Sequence, residues 1–257
     1  MNTTGFKDHF SSQAIIYSKY RPGYPDELFK YLASLAPART LAWDCATGSG
    51  QAAMGLVKHF DKVIATDASE KQISSAIPHE KIDYRVAPAE HAPIADSAVD
   101  LIVVAQALHW FETALFFAEA KRVLKDRGVI AVWSYNLLEI SSKVDAIIDD
   151  FYENTLGEYW PPERRLIESE YKDIAFPFEK IAAPVFAMST LWSLDHLVGY
   201  LGTWSAVQKY KEITGRDPVE SIISELRRAW GKSSRKRKVE WPLALRAGIN
   251  VLKAGDQ

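Results

Sequence analysis

The sequence is poor in several things, and each shortage removes a class of protein. It holds one cysteine, Cys45, so no disulfide can form within the chain, and a reducing compartment is expected. It has no stretch near the roughly 18 unbroken apolar residues that a membrane span needs. The opening MNTTGFKDHFSS lacks a basic flank followed by an apolar run, so it does not read as a secretory signal. Charge of one sign is also missing. Lys+Arg number 31 against 33 Asp+Glu, a net charge of -2, whereas duplex or tRNA binders carry a broad basic field. No internal repeat, low-complexity segment or metal-ligand spacing of His, Cys and Asp stands out. The expectation is a cytoplasmic protein with no membrane segment, no metal site and no nucleic-acid partner; its oligomeric state is left open.

What is present is a globular composition, with 257 residues of which 47% are hydrophobic and 25% charged. Pro25, Asp26 and Glu27 open a helical pattern with Leu28, Phe29, Leu32 and Leu35 on one face. Next come TLAWDC, an apolar run closed by an acid, the turn ATGSGQ, and the helix-like AAMGLVKHF. KVIATD again ends in an acid, and Ser69 with Gln72 makes a capping-box pattern. IDYRV, VDLIVVA, a helix over roughly 112–124 and GVIAVWSY continue the rhythm. Short, nearly continuous apolar strands alternating with helices predict a parallel sheet covered on both faces. Right-handed crossovers bring the loops after Asp44 and Asp67 to one edge, where a ligand cleft is expected.

Beyond Tyr135 the rhythm changes. Residues 139 to about 180 read as helices broken by the aromatic loop GEYWPPERR. PVFAMSTLW alternates as a strand, Ser193 can cap a helix through Leu201, DPVE starts another to Trp230, and VEWPLALRAGI reads as a closing strand. The run KSSRKRK just before that strand reads as a solvated turn.

Asp44-Cys45-Ala46-Thr47-Gly48-Ser49-Gly50 is the segment that carries chemistry. Its glycines permit a tight turn and remove Cβ atoms where a ligand must touch backbone, and Gly48-x-Gly50-x-x-Ala53 also fits a dinucleotide fingerprint. The acid ahead of the turn separates the readings. It would repel a pyrophosphate, whereas the ammonium and sulfonium of S-adenosylmethionine tolerate or favour it. Asp67, at the end of the second strand, suits the hydroxyls of a ribose, which either ligand carries.

DCATGSG, TDAS, APAEHAPIADSAVDLIVVAQALHW and the upstream YSKYRPGYP together resemble class I S-adenosylmethionine-dependent methyltransferases, specifically the small-molecule type 11 group that includes trans-aconitate methyltransferase-like proteins. The resemblance covers about residues 10–135, and WPLALRAGI is similar to that group's closing strand. It implies an α/β fold: a Rossmann-like, seven-stranded, mainly parallel sheet with the last strand antiparallel, helices on both faces and a helical cap insertion. The expected division is a lid and first helix over 1–36, a cofactor-binding core over 37–138, the cap over 139–183, and strands and helices completing the sheet and acceptor pocket over 184–257.

The resemblance also implies roles by position. Asp44, Ala46, Gly48 and Gly50 would hold the methionine part, Asp67 and Ala68 the ribose and adenine edge, Ala89 and Glu90 the adenine, and Gln106, Ala107 and Leu108 the floor beside the sulfonium. In the upstream segment, Arg21 would pair with the methionine carboxylate, while Tyr17, Tyr20 and Tyr24 could close the cleft. The turn differs from the group's commoner G-C-G by carrying Thr47-Gly48-Ser49-Gly50, and Pro88 stands where an Asp often precedes the Ala-Glu pair.

His109 is the candidate general base, with a packed or capping histidine as the alternative. Trp110, Trp160 and Trp204, with Tyr17, are candidates for contact with the methyl acceptor. The expected activity is methyl transfer from S-adenosylmethionine to a small molecule. A carboxylate acceptor needs no base, whereas a hydroxyl or nitrogen acceptor would draw on His109 or a cap tyrosine. The rivals are an RNA or protein methyltransferase, a non-catalytic module that binds S-adenosylmethionine, and an NAD-dependent oxidoreductase, which Asp44 disfavours.

Overall fold

The computed structural model describes residues 23–251. Its helices and strands follow in the order α1 (Asp26–Leu35), β1 (Leu41–Cys45), α2 (Gln51–Leu56), β2 (Lys62–Asp67), α3 (Glu70–Ser75), β3 (Ile82–Val86), β4 (Val99–Ala105), α4 (Thr113–Val123) and β5 (Leu124–Ser134). Then come α5 (Ser142–Asp150), α6 (Arg164–Glu168), β6 (Glu179–Ile181), β7 (Phe186–Trp192), α7 (Leu194–Leu201), α8 (Ser205–Thr214), α9 (Ile223–Trp230) and β8 (Arg237–Ile249). A 3₁₀ turn, Leu108–Trp110, joins β4 to α4, and a π-helical turn, Phe151–Thr155, extends α5.

The sheet runs β3-β2-β1-β4-β5-β8-β6, and β7 pairs with β8 alone. β1 to β5 are mutually parallel and β8 is antiparallel to β5 and β6, so the mainly parallel sheet with a reversed closing strand is as expected. Alternate residues divide between two cores. Ala42, Val63, Leu101, Val103, Val129 and Ala131 face one way with α1 and α2, while Trp43, Ile64, Ile102, Val104, Ile130 and Val132 face the other with α4. Both faces are dry, which is why these strands read as continuous apolar runs.

The local signals explain several boundaries. The Ser69 hydroxyl accepts from the Gln72 N–H at 3.3 Å at the start of α3, and Ser193 does the same for His196 at 3.3 Å at the start of α7. β6 is the clearest departure. Residues 179–181 lie in the stretch expected to be helical, yet they pair with Ala247–Ile249 of β8 and take the seventh, edge position of the sheet. The strand expected after the cap, Phe186–Trp192, forms and pairs as a ribbon with the first half of β8. Pro242 faces Ala187 in that ribbon. The basic run ends inside β8: Arg237 lies over the Trp230 ring at 5.5 Å, and Lys238 pairs with Glu240 at 2.7 Å. Among the described residues no helix is long and apolar enough to cross a membrane.

Candidate active site at the carboxyl edge of the sheet

Because β1, β2, β4 and β5 are parallel, the loops after Cys45, Asp67, Ala105 and Ser134 leave the same edge. The turn after β1 bends through three left-handed residues, Ala46 (φ 56°), Gly48 (57°) and Gly50 (90°). Such φ values are uncommon outside glycine, so the turn is held by its partners. Asp44 is the main one. Its carboxylate has no exposure, and Oδ2 accepts from the Thr47 hydroxyl at 2.6 Å and the Ala53 N–H at 2.8 Å. Oδ1 is buried and has no hydrogen-bond partner among the described residues. Burial pushes the Asp44 carboxyl up to about 7, with the nearby Asp67 adding to the rise. Asp44 thus lies beneath the turn rather than at its mouth, and acts on a ligand through its field and through the backbone it braces.

Asp67 ties the second loop to the first. Its Oδ2 accepts from the Gly48 N–H and its Oδ1 from the Ser69 N–H, each at 2.9 Å. The carboxylate therefore stands beside the glycine turn and ties the two loops together. Open space surrounds the position a Gly48 Cβ would take, whereas a Cβ on Gly50 would meet the Tyr84 hydroxyl at 2.4 Å. These features fit S-adenosylmethionine: a bare backbone face at Gly48, an acid beside it for a diol, and the unpartnered buried Oδ1 of Asp44 below.

The remaining loops complete the edge. Ala87 donates its N–H to the Asp67 carbonyl at 3.0 Å, and Ala89 is buried. Glu90 Oε1 accepts from the Glu112 N–H at 2.9 Å, capping the entry to α4. Gln106 (φ 56°) clamps the backbone of Tyr135 from both sides, and Ala107 is buried behind it. Tyr17, Tyr20 and Arg21 lie outside the described residues. Tyr24 packs edge-on against Trp133 at 5.2 Å.

His109 is buried in the turn after β4, with Nδ1 3.0 Å from the Tyr171 hydroxyl. Burial and the positive charge of Arg164 push its imidazolium down to about 3, so the ring is neutral at ordinary pH. Trp110 packs against its ring at 4.6 Å and is 38% exposed. Trp160 packs between Tyr152 and Trp204 with tilted rings, at 4.8 and 5.6 Å, and Trp204 is buried behind it.

Several participants are not singled out by the sequence alone. Arg164 donates through Nε to the Tyr152 hydroxyl at 2.8 Å and through Nη2 to Asn136 Oδ1 at 2.7 Å. Its guanidinium lies 4.8 Å from the Trp160 ring centre. The one sequence signal was its place two residues after the aromatic Trp160-Pro161-Pro162. Tyr171 is held beside His109 by Arg246 of β8, which donates to the carbonyls of Tyr171 and Ile174.

Comparison with known proteins agrees with this geometry. A model of the methyltransferase domain matches residues 43–132. A protein of Dictyostelium discoideum named as a methyltransferase is 36% identical over 231 residues, 88% of each chain. A solved structure from Anaeromyxobacter dehalogenans, named as a type II methyltransferase, is 43% identical, covers 91% of this chain and 100% of its own, and superposes with a TM-score of 0.87. The malonyl-[acyl-carrier protein] O-methyltransferase of Dechloromonas aromatica is 32% identical over 142 residues, 54% of this chain and 52% of that one. With the sheet order, the braced glycine turn and these similarities together, the chain belongs to the class I S-adenosylmethionine-dependent methyltransferases.

Proposed function

We propose that this enzyme transfers a methyl group to a small-molecule acceptor bound under residues 139–183, with residues 37–138 holding the cofactor and residues 184–257 completing the sheet behind the acceptor. S-adenosylmethionine supplies a methyl group on a cationic sulfur, ready for displacement at carbon. The chain's own part is to bind, align and dry the reactants, which is most of what a protein can contribute to such a step.

In this reading Ala46, Gly48 and Gly50 present backbone to the methionine part and Asp44 braces them. Asp67 and Ala68 take the ribose and adenine edge, Ala89 and Glu90 the adenine, and Gln106 and Ala107 the floor. Tyr20 and Arg21 close over the cofactor. Trp110, Trp160 and Tyr17 face the acceptor, and Trp204 backs Trp160.

The observation that carries the proposal is the aromatic cap: Tyr152, Trp160 and Arg164 are tied through Asn136 to the end of β5, beside the cofactor edge. Large rigid rings around one charged group suit a small molecule. The near-zero net charge supports a partner other than nucleic acid, and the single buried Cys45 supports a reducing, cytoplasmic setting. The relation to an O-methyltransferase supports oxygen as the methylated atom. A mass-spectrometric screen of metabolites with S-adenosylmethionine tests the proposal. It expects one or a few compounds to gain a single methyl group with the wild-type chain and not with Asp67→Ala; transfer to none, with protein or RNA methylated instead, contradicts it.

A further inference from the structure

Residues 87–98, which carry Ala89 and Glu90, lie outside every helix and strand. A partly buried loop of that kind must find partners for its backbone elsewhere. It finds them on α4. The Ala92 N–H donates to Glu119 Oε1 at 2.7 Å, while Arg122 donates through Nη2 to the Ala92 carbonyl at 3.3 Å and through Nη1 to the Ile94 carbonyl at 2.9 Å. The Ser97 N–H donates to the Arg122 carbonyl, and the Ala98 N–H to that of Val123, each at 2.9 Å. Two side chains of one helix thus grip the loop.

The same two side chains hold each other. Arg122 donates through Nε to Glu119 Oε2 at 2.8 Å and through Nη2 to Oε1 at 2.7 Å, and its Nη1 reaches Asp96 as well. All three guanidinium nitrogens are engaged. Glu119 is only 7% exposed, so its carboxylate depends on the pairing, because a buried charge that loses its partner is costly. The (i, i+3) spacing sets both residues on one face of the helix. Phe116, Ala120 and Val123 of that helix are fully buried, so the clamp is anchored in the core.

The place of the clamp ties it to the cofactor. The gripped stretch starts two residues after Glu90, whose Oε1 accepts from the Glu112 N–H at the entry to α4 at 2.9 Å. On the other side of the Ala89-Glu90 pair, the Ala87 N–H donates to the Asp67 carbonyl at 3.0 Å. Hydrogen bonds that tell one base from another require placement to within about 0.5 Å. A loop without regular structure holds such placement only through its braces.

We propose that Glu119 and Arg122 are positioning residues for the base of the cofactor: acting through residues 92–97, they fix where Ala89 and Glu90 meet the adenine and so set how sharply the site selects that base. The inference rests on the assignment of Ala89 and Glu90 to the adenine made above. Both residues act through the loop and neither is a contact residue. A clamp that served the fold alone would, on loss, lower stability and weaken every ligand of the cleft alike.

The test uses the full chain and calorimetry with two ligands, S-adenosylhomocysteine and its deaminated form S-inosylhomocysteine, in which a carbonyl replaces the exocyclic amine of the base. Wild type is expected to bind the adenine form at least about 10-fold more tightly, the order of discrimination from one mispaired polar group. Arg122→Met is expected to weaken the adenine form by about 10-fold and the inosine form by less than about 3-fold, so that the ratio collapses. Arg122→Lys, which keeps a charge for Glu119 but fewer donors for the loop, should recover part of the ratio. Glu119→Gln, whose amide still accepts from the Ala92 N–H, should fall between Arg122→Met and wild type. If Arg122→Met fails to fold, Arg122→Lys and Glu119→Gln give the same comparison.

An unchanged ratio in the clamp variants, with both ligands weakened equally or the melting temperature alone lowered, overturns the proposal. Glu90→Ala separates that result from failure of the adenine assignment. A ratio lost in Glu90→Ala but kept in the clamp variants removes the proposal alone. A wild type that does not distinguish the two bases, or a Glu90→Ala variant that keeps the wild-type ratio, removes the assignment and the proposal with it.

Discussion

The side-chain amide of Gln106 holds both backbone groups of Tyr135. Its Nε2 donates to the Tyr135 carbonyl at 3.0 Å, and its Oε1 accepts from the Tyr135 N–H at 2.8 Å. Gln106 takes a left-handed backbone (φ 56°) and donates its own N–H to the Trp133 carbonyl at 2.8 Å. The ends of β4 and β5, which carry His109 on one side and Asn136 on the other, are thus locked as a unit. Gln106→Ala removes both of these hydrogen bonds to the Tyr135 backbone and is expected to cost about 1–3 kcal/mol in urea unfolding. Acceptor turnover should fall further than S-adenosylhomocysteine affinity, because the loosened strands carry the acceptor side.

Gly50→Ala should be among the most damaging single changes in the cofactor turn. The new Cβ meets the Tyr84 hydroxyl at 2.4 Å, and φ of 90° is strained for any side chain. Adding Tyr84→Phe removes the closest contact and leaves ring carbons at 3.2 and 3.3 Å and the backbone strain, so the double variant should recover part of the stability in thermal unfolding. Ala46→Gly is the opposite case. It should stabilise by up to about 1 kcal/mol, since Ala46 already occupies a left-handed conformation that glycine adopts freely.

Asp67→Ala removes the acceptor of the Gly48 and Ser69 N–H groups together with the acid assigned to the ribose. Calorimetry should show S-adenosylhomocysteine binding weakened by about 1–3 kcal/mol. Unchanged affinity would remove Asp67 from the cofactor site.

Asp44 and His109 make opposite contributions to stability as pH changes. Asp44 has its carboxyl raised from 3.8 to about 7, so the folded state binds its proton more tightly; its contribution is full below 3.8 and is lost as pH rises through 7. His109 is lowered from 6.5 to about 3, so the unfolded chain binds more protons in that interval; stability is full above 6.5 and is lost as pH falls towards 3. Denaturant titrations should show Asp44→Asn gaining stability relative to wild type as pH rises from 4 to 7. His109→Gln should gain relative to wild type as pH falls below 6.5.

Much of the sheet was readable because its strands are short apolar runs between helices, the first two with an acid at their ends. Asp44, Gly48, Gly50 and Asp67 were readable because two adjacent loops of a parallel sheet must meet. β6 was not, since Glu179-Lys180-Ile181 is too short and polar to signal a strand, and only the long β8 recruits it. The polar helix SAVQKYKEIT of α8 was missed for a similar lack of a strong apolar face. In the site, His109 stood out by type, but the partner of its Nδ1 is Tyr171, 62 residues away. Arg164 owes its place to Asn136, Tyr152 and Trp160, whose meeting depends on how the cap docks, and no local pattern encodes that.

The most direct measurement is the destination of the methyl group. The chain would be incubated with methyl-labelled S-adenosylmethionine and a whole-cell extract, and the products separated by size. The account predicts label in the small-molecule fraction, dependent on Asp67 and on Arg164. Label confined to protein or RNA, or none transferred while the cofactor binds tightly, would contradict it.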